Sequence, residues 1–199
     1  MSIPLGLRER KKHERRRRIE DAALDLFERH GFDATTIDQI AAAADISPRT
    51  FFSYFETKDD VVLADYAQRL DRILTELRER PAEEPPWRAL RASFAAVAAD
   101  YSGEAERFAR RFSIMASAPS VRARSLQLQA GWEQALGEHL AHRAGTPADD
   151  ASPRLLAAAA LAVMRSSLQH WLLTGRSGAL PDLVQDAFDR LGRGLDRGR

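Results

Sequence analysis

Apolar residues recur along this chain at spacings of three and four, and almost nowhere in strict alternation. Between Arg10 and His30, the residues Ile19, Ala22, Ala23, Leu26 and Phe27 fall on one helical stripe, and Gly31 follows as a C-terminal stop. In "TTIDQIAAAADIS", Ile37, Ile40, Ala41 and Ala44 form the buried side of a short second helix. Thr36 stands before it as N-cap, with Gln39 three residues on to complete a capping box. Ser47 is a second N-cap, followed by Pro48 at the first helical position, where a missing N–H costs nothing. Thr57 and Asp60 repeat the capping pattern, so helices start at Ser47 and at Thr57, only ten residues apart.

The helix from Lys58 is predicted to run to Arg80, and the Pro-rich "RPAEEPP" that ends it is the compositional candidate for a domain boundary. Beyond it the periodicity predicts helices over Trp87–Tyr101, Glu104–Ala118, Ser120–Arg143, Pro153–Thr174 and Leu180–Leu195. Breaker clusters such as "SAPS", "GTPADDASP" and "GRSGALP" separate them. The pattern is all-α, about nine helices, with no internal repeat. The last residues, "GRGLDRGR", read as low-complexity and disordered.

The stretch "ADISPRTFFSYFETKDD" poses a local question, because three phenylalanines and a tyrosine crowd between Phe51 and Phe55. Two short helices joined by a tight turn, the second opening on Ser-Pro, have the spacing of a helix-turn-helix. An eight-residue helix is far below the roughly 12 to 15 residues an isolated helix needs, so packing must hold it. Phe51 and Phe55, at i and i+4, can anchor its inner face. Phe52 and Tyr54 point away from that stripe, where flat side chains can lie against a sugar-phosphate backbone and the Tyr54 hydroxyl can donate to a phosphate.

Charge changes this picture at one place only. The 199 residues are 44% hydrophobic and 30% charged, with a formal net charge of +1, so attraction to nucleic acid must come from a local cluster. The run "RERKKHERRRR" supplies one: eight Lys or Arg against two Glu. A solvated helix face is the ordinary role of such a run; beside a helix-turn-helix, contact with DNA through Arg17 and Arg18, as part of a basic N-terminal arm, is the stronger reading. The absence of cysteine removes disulfides, thiolate metal sites and Cys nucleophiles. No apolar signal core or membrane-length run is present, and the expected location is cytoplasmic.

The segment "GFDATTIDQIAAAADISPRTFFSYFETKDDVV" resembles the N-terminal DNA-binding domain of the TetR family of bacterial transcription regulators, over about residues 15 to 62. Asp45 stands where that family usually has the turn Gly, and Phe52 where it usually has Tyr, which removes one phosphate-contacting hydroxyl. The resemblance implies a three-helix DNA-binding domain over residues 1–57 and a helical ligand-binding and dimerisation domain over 58–199. It implies that Thr36, Tyr54 and Lys58 contact phosphate, and Ser47 and Pro48, which open the recognition helix, are expected among the DNA-binding residues as well. Arg49 is expected to read a base, Thr50 to touch a thymine methyl or a phosphate, and Phe52 to lie on the backbone. The partners implied are double-stranded operator DNA, a small-molecule effector and a second copy of the chain, paired through the last two helices.

The C-terminal half is less explicit, since its aromatics and methionines at helical spacing suit a core as readily as a binding site. Phe94, Phe112, Met115, Trp132 and Met164 are the candidate pocket residues, with Arg111 and Gln129 as polar contacts. The last two helices carry broad apolar faces, among them Leu155, Leu156, Ala159, Val163, Leu180, Leu183, Val184, Phe188 and Leu191. His139 and His142 are one helical turn apart but lack an obvious third ligand, and no metal or cofactor is expected. No phosphate loop, nucleophile elbow or catalytic triad is legible. The reading is a ligand-released repressor of a palindromic operator. Its rivals are a sequestering protein with a vestigial DNA-binding domain, and, on the His pair alone, an all-helical enzyme.

Overall fold

The computed structural model describes residues 6–147 and 151–194, and all regular structure among them is helical. The helices are α1 (Leu7–His30), α2 (Ile37–Ala43), α3 (Pro48–Phe52), α4 (Lys58–Val62), α5 (Tyr66–Arg78), α6 (Pro86–Gly103), α7 (Ala105–Ser117), α8 (Pro119–Ala144), α9 (Ala151–Leu173) and α10 (Leu180–Gly192). Of the segment expected to be disordered, residues 195–199 lie outside the described residues, as do residues 1–5 of the basic N-terminus.

The helix expected over Lys58–Arg80 is in fact two, which raises the count among the described residues to ten. Val61, Val62 and Leu63 are all buried, and three consecutive positions about 100° apart cannot share one face of an α-helix. The chain turns at Leu63–Asp65 instead. The Ala64 carbonyl accepts from Arg16 Nη2 at 3.2 Å, and α5 restarts with Asp65 paired to Arg69 Nε at 2.7 Å.

The chain divides into two compact units at this break. The first comprises residues up to Ala64 together with Arg110–Ser125; the second comprises Asp65–Ala109 and the chain from Leu126 onward. In the first unit, α1 packs on α2 and α4, and α2 on α3, around Ile19, Leu24, Phe27, Ile40, Phe51 and Phe55. The ring centroids of Phe27 and Phe32 lie 4.9 Å apart, and those of Phe51 and Phe55 5.7 Å apart. The C-terminal half of α7 brings a buried ion pair: Arg111 Nη2 donates to Glu20 Oε2 at 2.6 Å. Arg110 forks onto Glu28 at 2.7 and 2.9 Å and also reaches Asp25.

In the second unit α10 lies against α6 and α9, and α5 against α6, around Leu90, Phe94, Leu136, Leu140, Leu180 and Phe188. Two indole N–H groups are satisfied by backbone carbonyls, Trp87 by Phe188 and Trp171 by Gly178, each at 3.1 Å. Helices α8 and α9 approach closely at Gly137: a Cβ there would stand 3.3 Å from the Arg154 Cα. Of the apolar faces expected on the last two helices, Val163, Leu180, Val184 and Phe188 are consumed by this core. Leu155 and Leu173 remain 70% and 75% exposed.

Candidate nucleic-acid interface

The helix-turn-helix is built by local hydrogen bonds that its residue types dictate. Thr36 Oγ1 accepts from the Gln39 N–H at 3.2 Å while Gln39 Oε1 accepts from the Thr36 N–H at 2.9 Å, closing the capping box of α2. The helix ends in a paired C-terminal motif. Ile46 N–H donates to the Ala41 carbonyl at 3.0 Å and Asp45 N–H to the Ala42 carbonyl at 3.2 Å. That geometry requires a left-handed residue, and Asp45 supplies it with φ 55°. Asp is among the few non-glycine residues that visit this region readily, so the turn survives without the family's glycine.

Immediately beyond, Ser47 Oγ accepts from the Thr50 N–H at 3.1 Å, and Pro48 occupies the first turn of α3. Helix α3 is five residues long, shorter than the eight its pattern suggested, and one side chain carries its docking: Phe51 is 0% exposed. Around that anchor, Pro48, Arg49 and Ser53 are exposed, Thr50 and Tyr54 are half-buried, and Phe52 is 55% exposed. The Phe52 ring meets Phe51 edge-on at 5.7 Å, which orients it outward. The Thr50 and Ser47 hydroxyls lie 2.9 Å apart, and Ser53 Oγ donates to the Thr50 carbonyl at 2.6 Å, so the polar edge of α3 is ordered before any partner arrives.

Lys58, expected as a phosphate clamp, sits at the corner between the α1–α2 loop and α4. Its Nζ donates to the carbonyls of Phe32 at 2.7 Å, Thr35 at 3.2 Å and Asp33 at 3.3 Å, and lies 4.4 Å from the centre of the Phe32 ring. An ammonium has three donors, and three carbonyls occupy them. In this structure Lys58 therefore latches the α1–α2 loop to the start of α4, and the Thr57–Asp60 capping box secures the same corner. Within the basic run, Arg16 is likewise structural: it pairs with Glu20 at 3.2 Å and lies 4.6 Å from the centre of the Phe55 ring. Arg17 and Arg18 are exposed. Of these roles only the four-residue spacing of Arg16 and Glu20 could have been read from sequence; the Lys58 latch and the Glu20–Arg111 pair span 23 residues or more.

The candidate effector residues separate. Phe94 and Met164 lie in the core of the second unit, Phe94 with its ring 5.8 Å from that of Phe188. Trp132 is half-buried against Tyr66 at 5.3 Å. Phe112 and Met115 belong to the first unit, as does Arg111, whose guanidinium is committed to Glu20. Gln129 Oε1 accepts from Arg165 at 3.0 Å. Sequence reasoning missed a cluster in the second unit where Arg69, held by Asp65, lies 3.5 Å from the centre of the Tyr101 ring and 5.4 Å from that of Phe108. Burial drives the Tyr101 phenol far above its ordinary range, with the Arg69 charge offsetting part of the shift. His139 is pushed below its usual value, by burial first and then by the Arg78 charge. No group of three or more potential metal-binding side chains occurs among the described residues. None of the described helices is long and apolar enough to cross a membrane.

Comparison with known proteins agrees with this geometry. Residues 19–64 match the family model for bacterial regulatory proteins of the tetR family, and residues 84–196 match that for the MftR C-terminal domain. The chain is 32% identical over 179 residues to a Mycobacterium tuberculosis protein named as the mycofactocin biosynthesis transcriptional regulator MftR, covering 90% of each. It is 32% identical over 195 residues to the transcriptional regulator TcmR of Streptomyces glaucescens, covering 94% of this chain and 86% of that one. Among solved structures, the TetR-family repressor FadR of Thermus thermophilus, in complex with lauroyl-CoA, is 27% identical with a TM-score of 0.60, over 90% of this chain and 94% of that one. Two family models that share the chain between its two halves, and relatives that match along almost its whole length, place it among transcriptional regulators and not among enzymes: the chain belongs to the TetR family.

Proposed function

We propose that this protein is a repressor that binds a palindromic operator as a homodimer and releases it when a small molecule enters the second unit. The observation that carries the reading is the α2–turn–α3 unit, in which a buried Phe51 presents an ordered, exposed edge of Ser47, Pro48, Arg49 and Phe52, with Thr50 and Tyr54 beside it. Arg49 would read a base, since bidentate Arg to guanine is the commonest specific contact in the major groove. Thr36, Thr50, Tyr54, Arg17 and Arg18 would hold phosphates, and the Phe52 ring would lie against sugar. Lys58 would act chiefly by fixing the loop that carries Thr36, or would exchange a carbonyl for a phosphate when DNA arrives.

A five-residue recognition helix reads too few bases to specify a site alone, which favours two copies about one DNA turn apart. The exposed Leu155 and Leu173 on α9, with the half-buried Leu156, Ala159, Leu183 and Leu191, offer the apolar surface for that pairing. For the effector, the second-unit residues Phe94, Trp132 and Met164 remain the candidates, together with Phe108 and Arg69. The FadR complex makes acyl-CoA thioesters the first class to screen.

The test is a salt-titrated anisotropy assay on a duplex selected from genomic fragments, against a scrambled control. A specificity ratio above about 1,000 and release by an acyl-CoA or another metabolite are expected. Equal, weak binding to both duplexes, lost in moderate salt, would favour a sequestering protein instead.

A further inference from the structure

The basic run is a continuous part of α1 whose charges support the helix unevenly: Glu9 in the first turn and Glu14, one turn from Arg10 and from Arg18, favour it, and most of the others do not. From Arg8 to Arg15 every residue is exposed, and from Arg8 to Arg18 none is apolar, so this stretch has no face to bury. Gly6 provides no side-chain cap. Arg8, Arg10, Lys11 and Lys12 crowd the end of α1 where the helix dipole disfavours cations. Like charges stand one turn apart at Arg8 and Lys12, at Lys11 and Arg15, and at Lys12 and Arg16. The segment is anchored at its inner end, where Arg16 is fixed to Ala64, Glu20 and Phe55 and Ile19 enters the core.

The electrostatic terms among these are reversed by a polyanion. We propose that the outer turns of α1, Arg8 to Arg15, are a second DNA contact: a cationic helix that lies on the phosphate backbone without reading sequence and is held helical by it. The stretch rises about 12 Å at 1.5 Å per residue, enough to follow several phosphates. The absence of any apolar residue argues against a membrane surface, which binds helices through a buried apolar face. The chemistry requires a dense row of anions. This rests on the reading of the chain as a DNA-binding regulator, and its test separates the two.

The full chain and the variant R8Q/R10Q/K11Q/K12Q are titrated with salt against the selected operator and against an unrelated duplex. Four lost phosphate contacts in each copy, at about 0.9 each, should flatten the plot of log K against log salt by about 7 for the homodimer on both duplexes while preserving the ratio between them. Hydrogen exchange at residues 8 to 15 should slow when either duplex is added. The charge-keeping variant R8K/R10K/K11R/K12R should retain the wild-type slope, and loss of slope there would overturn the electrostatic account. An unchanged slope in the glutamine variant, with operator preference intact, overturns this inference alone. A wild type with no sequence preference whose slope still depends on these four charges overturns the repressor reading and keeps this one. Binding of phosphatidylglycerol vesicles through the same charges, with the DNA slope unmoved, would assign the segment to membranes and overturn it.

Discussion

The two units of this molecule are stabilised in different ways. In the first, α2, α3 and α4 have only five to seven residues each, and individual polar links fix them beside the apolar centre: two capping boxes, the Ser47 cap, an ammonium on three carbonyls, and the Glu20–Arg111 pair. The second has long helices around one continuous apolar core from Ile73 to Phe188. A helix of five residues cannot be held by periodicity, so its position depends on specific atoms. A helix of 23 residues can pack through many alternative faces, and few of its residues are irreplaceable.

That contrast makes predictions, the largest of which concerns Phe51. Phe51→Ala should cost the first unit about 3 to 5 kcal/mol, because no second aromatic of α3 reaches the core. All three tryptophans, Trp87, Trp132 and Trp171, lie in the second unit. A far-UV circular dichroism transition that falls below the tryptophan fluorescence transition is therefore expected, and equal shifts in both signals would break the comparison. Next, Arg111→Met should cost about 1 to 3 kcal/mol by removing the buried charge-assisted hydrogen bond to Glu20, which keeps Arg16 as its remaining counter-charge. The double variant E20L/R111M should recover most of that in thermal melts; a double variant no better than Arg111→Met would remove the ion pair as the cause.

Smaller effects sharpen the same point. Ser47→Ala should cost about 1 kcal/mol through the lost cap of α3, measured by chemical denaturation, and should weaken operator binding in parallel. In the second unit, Arg91 bonds Asp189 at 2.7 and 2.9 Å, and that hydrogen bond, ahead of the Arg91 charge itself, lowers the Asp189 pKa. A lowered carboxylate pKa stabilises the fold above the unfolded value and ceases to do so as pH falls through the folded one. The pair is half-exposed, so Arg91→Ala should cost below about 1 kcal/mol near neutral pH and progressively less in acid. A loss of several kcal/mol there would contradict the account of a unit held mainly by its core.

Why one half was more legible than the other follows from the same physics. The capping boxes at Thr36–Gln39 and Thr57–Asp60, the Ser47–Pro48 start and the left-handed Asp45 are set by residues within three or four positions, so the sequence displays them directly. The break between α4 and α5 is tertiary, because it is the burial of Val61, Val62 and Leu63 together that forces it. Lys58 and Arg111 carry the same charge wherever they point, and their partners in the structure, Phe32 and Glu20, are too far away along the chain to be read from sequence. Phe94 shows the converse, since an aromatic at helical spacing reads alike in a pocket and in a core, and here it is packed on Phe188.

The measurement closest to the central claim is the affinity of Arg49→Ala for the selected operator and for an unrelated duplex at matched salt. The account predicts a loss of about 1 to 3 kcal/mol per half-site on the operator, relaxed preference at one base position in each half-site, and unchanged binding to unrelated DNA. An equal loss on both duplexes would make Arg49 a phosphate contact, and no loss on either would remove α3 as the element that reads the sequence.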